Sequence, residues 1–186
     1  MEERIVAFFA AQVEETLALG DSLVKPLAAA ATLLVEVLLA GGRVFTLGEG
    51  LAAGAAQQFH ALLAHRYRLE RPSFAAVCLA GEPLVPASGE FYRRRLRALA
   101  QEGDVLVLFA PEPGDGGLSR AVQGAHERDA TVIAFTGPGD NNVAALLTPG
   151  DVELKVDHPD LGRVLLAHQV ALFCLADLIE HQLFGG

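Results

Sequence analysis

Five short apolar segments, separated by stretches with helical periodicity, are the feature that most constrains the fold of this chain. The apolar segments span 44–47, 74–79, 105–109, 132–135 and 152–156. Helices are predicted between and after them at 51–67, 90–100, 118–128, 143–147 and 162–184. Strands that are apolar along nearly their whole length are typical of a parallel sheet covered on both faces. With right-handed crossovers, the sequence therefore predicts a doubly wound α/β fold.

The residues before the first strand are predicted to form two apolar helices. Residues 2–19 carry apolar side chains at mostly helical spacing, with charged residues between them. Asp21 and Ser22 break this spacing, and a second helix is predicted over 26–39, before Gly41, where a left-handed cap forms easily. Helices with so much apolar surface need a partner to cover them.

Length, composition and charge favour one compact domain that does not bind nucleic acid directly. The chain has 186 residues, and 52% of them are hydrophobic, which is enough for a full core without disulfides or a structural metal. Its net charge of −9 would repel a phosphate backbone. The densest basic run comprises Arg93, Arg94, Arg95 and Arg97, and we interpret it as a solvated helix face or a subunit contact.

The cysteines and the N-terminus predict a soluble cytoplasmic protein without membrane association. Cys78 and Cys174 lie among apolar residues and lack a nearby cysteine at metal-binding spacing, so both are interpreted as buried small hydrophobic residues. The chain begins Met-Glu-Glu-Arg, which lacks the basic start of a signal peptide. We found no run of about 18 apolar residues free of charge and glycine.

The loops after the strands are the candidate ligand sites, because ligands of doubly wound sheets bind beyond the carboxyl ends of the strands. These loops are predicted at 48–50, 80–88, 110–117 and 137–142. In the first of them, Gly48, Glu49 and Gly50 precede a helix whose N-terminal N–H groups could bind an anion. The turn lacks the third glycine of a dinucleotide motif and the Gly-Lys-Ser/Thr of a P-loop. A purely structural strand-to-helix turn is therefore the alternative.

Five segments, in their order and spacing, resemble one known family. They are 40–50 (AGGRVFTLGEG), 66–72 (RYRLERP), 102–107 (EGDVLV), 132–137 (VIAFTG) and 174–184 (CLADLIEHQLF). Over nearly its whole length the chain is similar to the sugar isomerase (SIS) domain family, and within it to the phosphoheptose isomerases and to proteins that associate with the replication initiator DnaA. The resemblance implies a flavodoxin-like, five-stranded parallel sheet between helices.

The resemblance also implies a quaternary structure. Family members generally assemble as homotetramers whose N-terminal helices pack between subunits, which would explain the apolar character of this part of the chain. We therefore divide the single domain, 1–186, into an N-terminal helical oligomerisation segment, 1–40, and an α/β sandwich, 41–186.

The resemblance implies a pocket whose phosphate-binding groups are missing. In the isomerases, a Gly-Asn-Gly-Gly-Ser turn and a Ser-Thr-Ser-Gly-Asn-Ser turn bind the phosphate through hydroxyl and backbone donors. Here Glu49 stands for the asparagine, Ala52 stands for the serine, and the second turn reads Ala-Pro-Glu-Pro-Gly-Asp over 110–115. Proline has no N–H, alanine has no hydroxyl, and Glu112 and Asp115 add negative charge. A phosphate ester is expected to bind weakly or not at all.

Other polar groups leave room for a different ligand. Ser88, Ser119 and Thr136 remain as hydrogen-bond donors, and a neutral sugar could occupy the cleft. His168 lies on the last helix, where it either lines this cleft or has a core or interface role.

The resemblance implies that the catalytic groups are missing too. Aldose–ketose isomerisation needs a base and a second group acting at the ring oxygen or carbonyl. Leu62 and Phe173 stand for the glutamate and histidine that fill these roles, while Gln58 and Leu165 stand for a histidine and a glutamine that bind zinc. Leucine and phenylalanine neither transfer protons nor bind zinc. We therefore predict no catalytic residue, no metal and no cofactor, which favours a non-catalytic protein.

The remaining histidines offer no recognisable catalytic set. His60 and His65 point in different directions around a helix. Three others lie in polar surroundings and are interpreted as surface residues: His126, His158 and His181. Spacing along the chain shows no Ser-His-Asp or Cys-His set, although such sets assemble in three dimensions.

The tail carries the last candidate site. Leu183 and Phe184 match a Leu-Phe pair at the end of the initiator-associating proteins, and the resemblance implies that this pair binds the initiator. The alternative is an ordinary packing contact at a helix end. These observations favour a homotetrameric scaffold that binds DnaA and regulates replication initiation. A sedoheptulose 7-phosphate isomerase and a sensor of a sugar or sugar phosphate are the other hypotheses.

Overall fold

The computed structural model describes residues 1–79, 89–113, 117–139 and 142–185. The helices are α1 (Glu2–Leu39), α2 (Ala53–Ala64), α3 (Gly89–Leu99), α4 (Gly117–His126) and α5 (Leu161–Phe184). The strands are β1 (Val44–Gly48), β2 (Ala76–Cys78), β3 (Val105–Ala110), β4 (Thr131–Thr136) and β5 (Val152–Lys155). Short 3-10 turns occupy Gly50–Ala52 and Ala144–Leu146.

The five strands form one parallel sheet in the order β2-β1-β3-β4-β5. All residues of β1 and β3 are buried, as expected of central strands covered on both faces. Connections run outward in both directions from β1 and β3, so the sheet is doubly wound and the predicted fold class is confirmed.

The side chains of each strand alternate between two hydrophobic cores. On one face, Val44, Val105 and Ile133 pack with α1, α2 and α5. On the other, Phe45 and Leu106 pack with α3 and α4. The helices cover the two faces of the sheet but not the carboxyl ends of β1 and β3. The loops that follow these two strands lie at that edge, where a ligand site is expected.

The predicted break between two N-terminal helices is wrong. A single helix, α1, continues through Ser22 and includes Pro26 in its interior. An interior proline costs about 3 kcal/mol because it removes one hydrogen bond and crowds the preceding turn. Here Leu23 and Ala30 are both buried on the same helix face, so packing on either side of Pro26 holds the two halves in one line.

Some other predicted boundaries also shift. The helix predicted over 51–67 ends at Ala64, and the helix predicted at 143–147 is only the 3-10 turn Ala144–Leu146.

The two cysteines are less buried than predicted. Cys78 and Cys174 are reduced thiols and are half-buried rather than buried. Burial, followed by the nearby Asp177 carboxylate, raises the pKa of Cys174.

Helices α1 and α5 are long and apolar enough, by length and composition, to cross a membrane. The same properties belong to core helices of α/β proteins. In α5 the apolar face is buried against the sheet through residues such as Val164, Leu172 and Ile179. The first half of α1 is different, because most of its apolar side chains are exposed.

Candidate functional site

The turns after β1 and β3 meet around a cavity of about 440 Å³ at the carboxyl edge of the sheet. Its described lining residues are Glu49, Gly50, Leu51, Ala52, Phe109, Ala110, Pro111, Glu112, Pro113 and Leu118. The sequence had indicated two separate turns, and the parallel pairing of β1 with β3 brings them together. This cavity corresponds to the predicted ligand pocket.

The two glycines of the first turn are needed for different structural reasons. A Cβ on Gly48 would lie 2.5 Å from the Ala52 carbonyl oxygen, so a side chain there would block the tight approach of strand and helix. Gly50 has φ +54°, in the left-handed region that favours glycine. The turn is thus as tight as predicted, and Glu49 is held between the two glycines.

Glu49 is fixed by a residue that sequence analysis did not identify. The hydroxyl of Tyr92, a buried residue of α3, donates a hydrogen bond to the Glu49 carboxylate. Burial first, and then the charge and hydrogen bond of Glu49, raise the pKa of Tyr92 to about 12. No local pattern in the sequence links these two residues, because helix packing creates their contact.

The second turn is fixed by a close backbone approach. A Cβ added to Gly137, just after β4, would lie 1.8 Å from the carbonyl oxygen of Pro111. Only glycine permits this contact, which holds the Pro111 segment against the neighbouring strand end. The wall formed by Pro111 and Pro113 offers no backbone N–H at those two positions.

The electrostatics of the cavity disfavour an anion. Among the described residues that line it, the charged side chains are Glu49 and Glu112, and the others are apolar or glycine. A phosphate dianion would face two carboxylates without a compensating cation from this set. The arrangement can accommodate a small molecule by volume, but it lacks the donors of a phosphate site.

The other predicted pocket residues lie apart from this lining. Gly48 is buried in β1, and Gln58 is half-buried on α2. Thr136 is buried and its hydroxyl donates to Glu153 over 2.6 Å, while Ser119 is half-buried on α4. Three further predicted positions fall outside the described residues: Ser88, Gly114 and Asp115.

His168 is a core residue of α5. It is 1% exposed and contacts the rings of Phe109 and Phe135, the first of which also lines the cavity. Its Nε2 lies 3.1 Å from the Thr136 carbonyl oxygen, to which it donates, and its Nδ1 has no partner among the described residues. Burial lowers the pKa of His168 to about 4, although the Thr136 bond opposes this shift. The imidazole is therefore neutral at physiological pH.

Three of the four positions that the resemblance pairs with catalytic or zinc-binding residues of the isomerases hold apolar packing groups. Leu62, Leu165 and Phe173 are half-buried and pack against the core between the sheet and α1, α2 and α5. Phe173 also contacts the ring of Tyr67, at 5.8 Å between centroids. Within the described ranges, no three His, Cys, Asp or Glu side chains are placed to bind one metal ion. The residues at these positions do not fit zinc.

Most of the remaining histidines and the arginine run make ordinary polar contacts. His126 and His158 are half-buried rather than fully exposed, with Nε2 atoms 2.9 Å from Asp151 and 3.5 Å from Glu15 respectively, whereas His181 is exposed. In the arginine run, Arg93 and Arg97 form ion pairs with Glu127, the residue that follows α4. These pairs reduce the positive charge of the run and link α3 to α4.

The two predicted tail residues differ in their surroundings. Leu183 is partly buried and packs against the core, whereas Phe184 is 47% exposed. The exposed ring stacks on Phe74, with 6.2 Å between centroids and 17° between the ring planes. Sequence analysis did not identify Phe74, and its position just before the short strand β2 gave no indication of this contact.

A buried carboxylate one helical turn before the tail organises the segment around Phe74. Glu180 accepts hydrogen bonds from the backbone N–H groups of Tyr67, Arg68 and Leu69 and from Nε of Arg71, at 2.9 to 3.0 Å. Burial disfavours its ionisation, but these donors outweigh burial and lower the pKa of Glu180 to about 2. The loop after α2 is thereby fixed to α5.

The fold and the cavity define a class of protein: a single doubly wound α/β unit with a cavity at the carboxyl ends of its central strands. The chain matches the SIS domain family over residues 8–137. It belongs to the SIS domain family.

The similarity to individual proteins extends over almost the whole chain. It is 34% identical to the DnaA initiator-associating protein DiaA of Escherichia coli O1:K1, over 99% of this chain and 97% of the relative. The solved phosphoheptose isomerase GmhA from Neisseria gonorrhoeae superposes with a TM-score of 0.86 at 31% identity, over 96% of this chain and 98% of that one. A phosphoheptose isomerase from Francisella tularensis gives 0.88 at 25% identity, over 96% and 97%.

Proposed function

We propose that this protein is a non-catalytic SIS-domain scaffold that binds the replication initiator DnaA and regulates the initiation of replication. The observation that carries the proposal is the combination of near full-length similarity to an initiator-associating protein with an exposed Phe184 in its Leu-Phe tail. Apolar residues, Leu62, Leu165 and Phe173, occupy three of the four positions that the resemblance pairs with isomerase catalytic and zinc-binding groups, and they support a role other than isomerisation. We place the protein in the cytoplasm, where such a partner acts.

A homotetramer would present several copies of the tail on one rigid frame. Support comes from the first half of α1, where a set of apolar side chains is 52–70% exposed: Ile5, Val6, Phe8, Phe9, Val13 and Leu17. An apolar groove of about 450 Å³ between α1 and α5 continues this surface. Exposed apolar surface of this kind is covered by subunit association in stable oligomers. Several weak sites on one frame raise the effective concentration for a second bound partner.

Phe184→Ala is expected to weaken binding of the initiator at least about tenfold, because the substitution removes an exposed aromatic contact. The measurement is surface plasmon resonance with the cognate DnaA immobilised and the intact protein in solution. Circular dichroism and size-exclusion chromatography check that the variant keeps the fold and the oligomeric state. Wild-type protein that fails to bind DnaA would overturn the proposal.

Leu183→Ala provides the matched comparison. Because Leu183 packs against the core, its truncation is expected to lower the thermal midpoint more than truncation of Phe184, which is 47% exposed. A larger loss of binding by Phe184→Ala than by Leu183→Ala, together with the smaller change in midpoint, thus separates recognition from helix-end packing. Equal binding by wild type and Phe184→Ala would assign the tail to packing alone.

No turnover of sedoheptulose 7-phosphate is expected, and calorimetry is expected to detect no binding at micromolar concentration. The physical reason is the pair of carboxylates, Glu49 and Glu112, in a cavity that the described residues leave without a cation. An active phosphoheptose isomerase assayed in parallel is the positive control. Turnover above the background of a heat-denatured sample would establish the isomerase hypothesis instead.

A sensor of a sugar or sugar derivative is the second candidate function, favoured by the volume of the cavity, about 440 Å³. In that case a ligand would bind without conversion. The calorimetric titration separates the two candidates, since a sensor gives binding heat and no product.

A further inference from the structure

We propose that Phe74 is a positioning residue for Phe184, so that the partner-binding surface is a stacked pair of rings contributed by two distant parts of the chain. This inference rests on the proposed function, because it concerns the same tail site. The juxtaposition that carries it is the stack of Phe184 on Phe74, with 6.2 Å between centroids and planes inclined by 17°. Offset stacking at this spacing is attractive.

The Phe74 ring also has contacts of its own with the rest of the chain. The guanidinium carbon of Arg71 lies 3.9 Å from the centroid of the Phe74 ring, within the range of a cation–π contact. The backbone N–H of Phe74 donates to the Leu63 carbonyl oxygen over 3.1 Å, and the ring is half-buried against the core. Phe74 therefore presents a fixed surface to the tail.

Arg71 is in turn fixed on all sides. Its side chain is 2% exposed, its Nε donates to Glu180, and its two terminal nitrogens donate to the carbonyl oxygens of Leu62, Leu63 and Pro72. Glu180 precedes Phe184 by one helical turn on α5. Helix α5 thus carries both Phe184 and Glu180. Glu180 fixes Arg71, Arg71 contacts the Phe74 ring, and Phe184 stacks on Phe74.

The stack has a consequence for recognition. A ring at the last residue of a helix would ordinarily sample several rotamers, and binding would have to immobilise it at a cost in entropy. Stacking on Phe74 restricts those rotamers before the partner arrives, while 47% of Phe184 remains exposed for contact. The site is therefore pre-organised.

The charges around the stack indicate what kind of contact it makes. The flanking ion pairs are internal to the chain: Arg66 with Glu70, Arg68 with Asp177, and Arg71 with Glu180. Charges that are paired within the protein contribute little to long-range attraction of a partner. The surface fits an apolar side chain of the initiator placed against the two rings, and binding at this contact is expected to depend weakly on salt.

The test compares four proteins in the same DnaA binding measurement: wild type, Phe74→Ala, Phe184→Ala and the double variant. We expect Phe74→Ala to weaken binding about tenfold, and the double variant to bind no more weakly than Phe184→Ala alone. Phe74→Tyr keeps the ring and is expected to bind within about twofold of wild type. If Phe74→Ala destabilises the fold, Phe74→Leu keeps the apolar volume without the flat ring and replaces it.

A partner-free measurement follows the ring directly. With 4-fluorophenylalanine incorporated at position 184, the 19F resonance is expected to shift in Phe74→Ala and to stay near its wild-type position in Phe74→Tyr. Three results would each overturn the positioning role while leaving the proposed function intact. Phe74→Ala could bind DnaA within twofold of wild type, the 19F resonance could stay unchanged in Phe74→Ala, or the losses of the two single variants could add fully in the double variant. Absence of binding by the wild type would overturn the proposed function, and this inference with it.

Discussion

Replacing Glu180 by alanine is expected to lower the free energy of unfolding by about 3–5 kcal/mol. The carboxylate is 3% exposed and is the common acceptor for three backbone N–H groups and the Arg71 guanidinium. Its removal leaves a guanidinium that is 2% exposed without its charge partner, and three donors without an acceptor. Urea denaturation at a fixed protomer concentration measures the change, since association contributes to apparent stability.

The same carboxylate gives stability a defined dependence on pH. Its pKa falls from an ordinary value of 4.5 to about 2 in the folded protein. A depressed folded-state pKa means that the contribution is complete above pH 4.5 and is lost as the pH falls toward 2. The difference corresponds to about 3 kcal/mol. Glu180→Gln keeps one acceptor oxygen and cannot titrate, so its stability deficit is expected to shrink between pH 4.5 and 2. A deficit that is constant across this range would contradict the assignment.

Replacing Gly137 by alanine is expected to cost about 3 kcal/mol or more, at the upper end of the range for overpacked sites. The new Cβ would lie 1.8 Å from the Pro111 carbonyl oxygen and 2.7 Å from its carbonyl carbon. Neither atom belongs to a flexible side chain, so the turn after β3 must move away from the end of β4. Thermal unfolding followed by circular dichroism measures the loss.

Gly54→Ala is the control for this substitution, because it adds the same methyl group elsewhere. Gly54 is the second residue of α2, and no atom beyond its chain neighbours and its own helix backbone lies within 4 Å of an added Cβ. Alanine is favoured over glycine in helices by about 1 kcal/mol, so this variant is expected to be slightly more stable than wild type. Equal effects of the two substitutions would show that the Pro111 contact imposes no constraint.

The backbone of the cavity and the side chains that line it point to different conclusions. The tight turn at Gly48 and Gly50 positions a carboxylate, Glu49, that Tyr92 holds by a hydrogen bond. Across the cavity, Pro111 contributes a tertiary amide without an N–H donor, and Glu112 adds a negative charge. The backbone geometry of a small-molecule site is therefore present without the groups that would bind a phosphate ester, which is why the proposed function depends on surfaces rather than on the cavity.

Local patterns in the sequence were sufficient to predict the five strands, the parallel sheet and the two turns of the cavity. Periodicity and glycine placement depend on near neighbours, so they are visible in a single sequence. The missing hydroxyl at Ala52 and the added charge at Glu112 could likewise be recognised without coordinates. The tail pair, Leu183 and Phe184, was identified through its resemblance to known proteins.

Only the tertiary structure decided which of these residues act together. It made α1 continuous through Pro26, because burial on both sides of the proline outweighs the local break in the pattern. It also separated partly buried Leu183 from the more exposed Phe184 and brought Phe74 into contact with the Phe184 ring. Tyr67 and Glu180 are 113 residues apart, and their hydrogen bond exists because two elements pack against the same sheet. Contacts of this kind depend on the whole packing arrangement, which no local segment of the sequence contains.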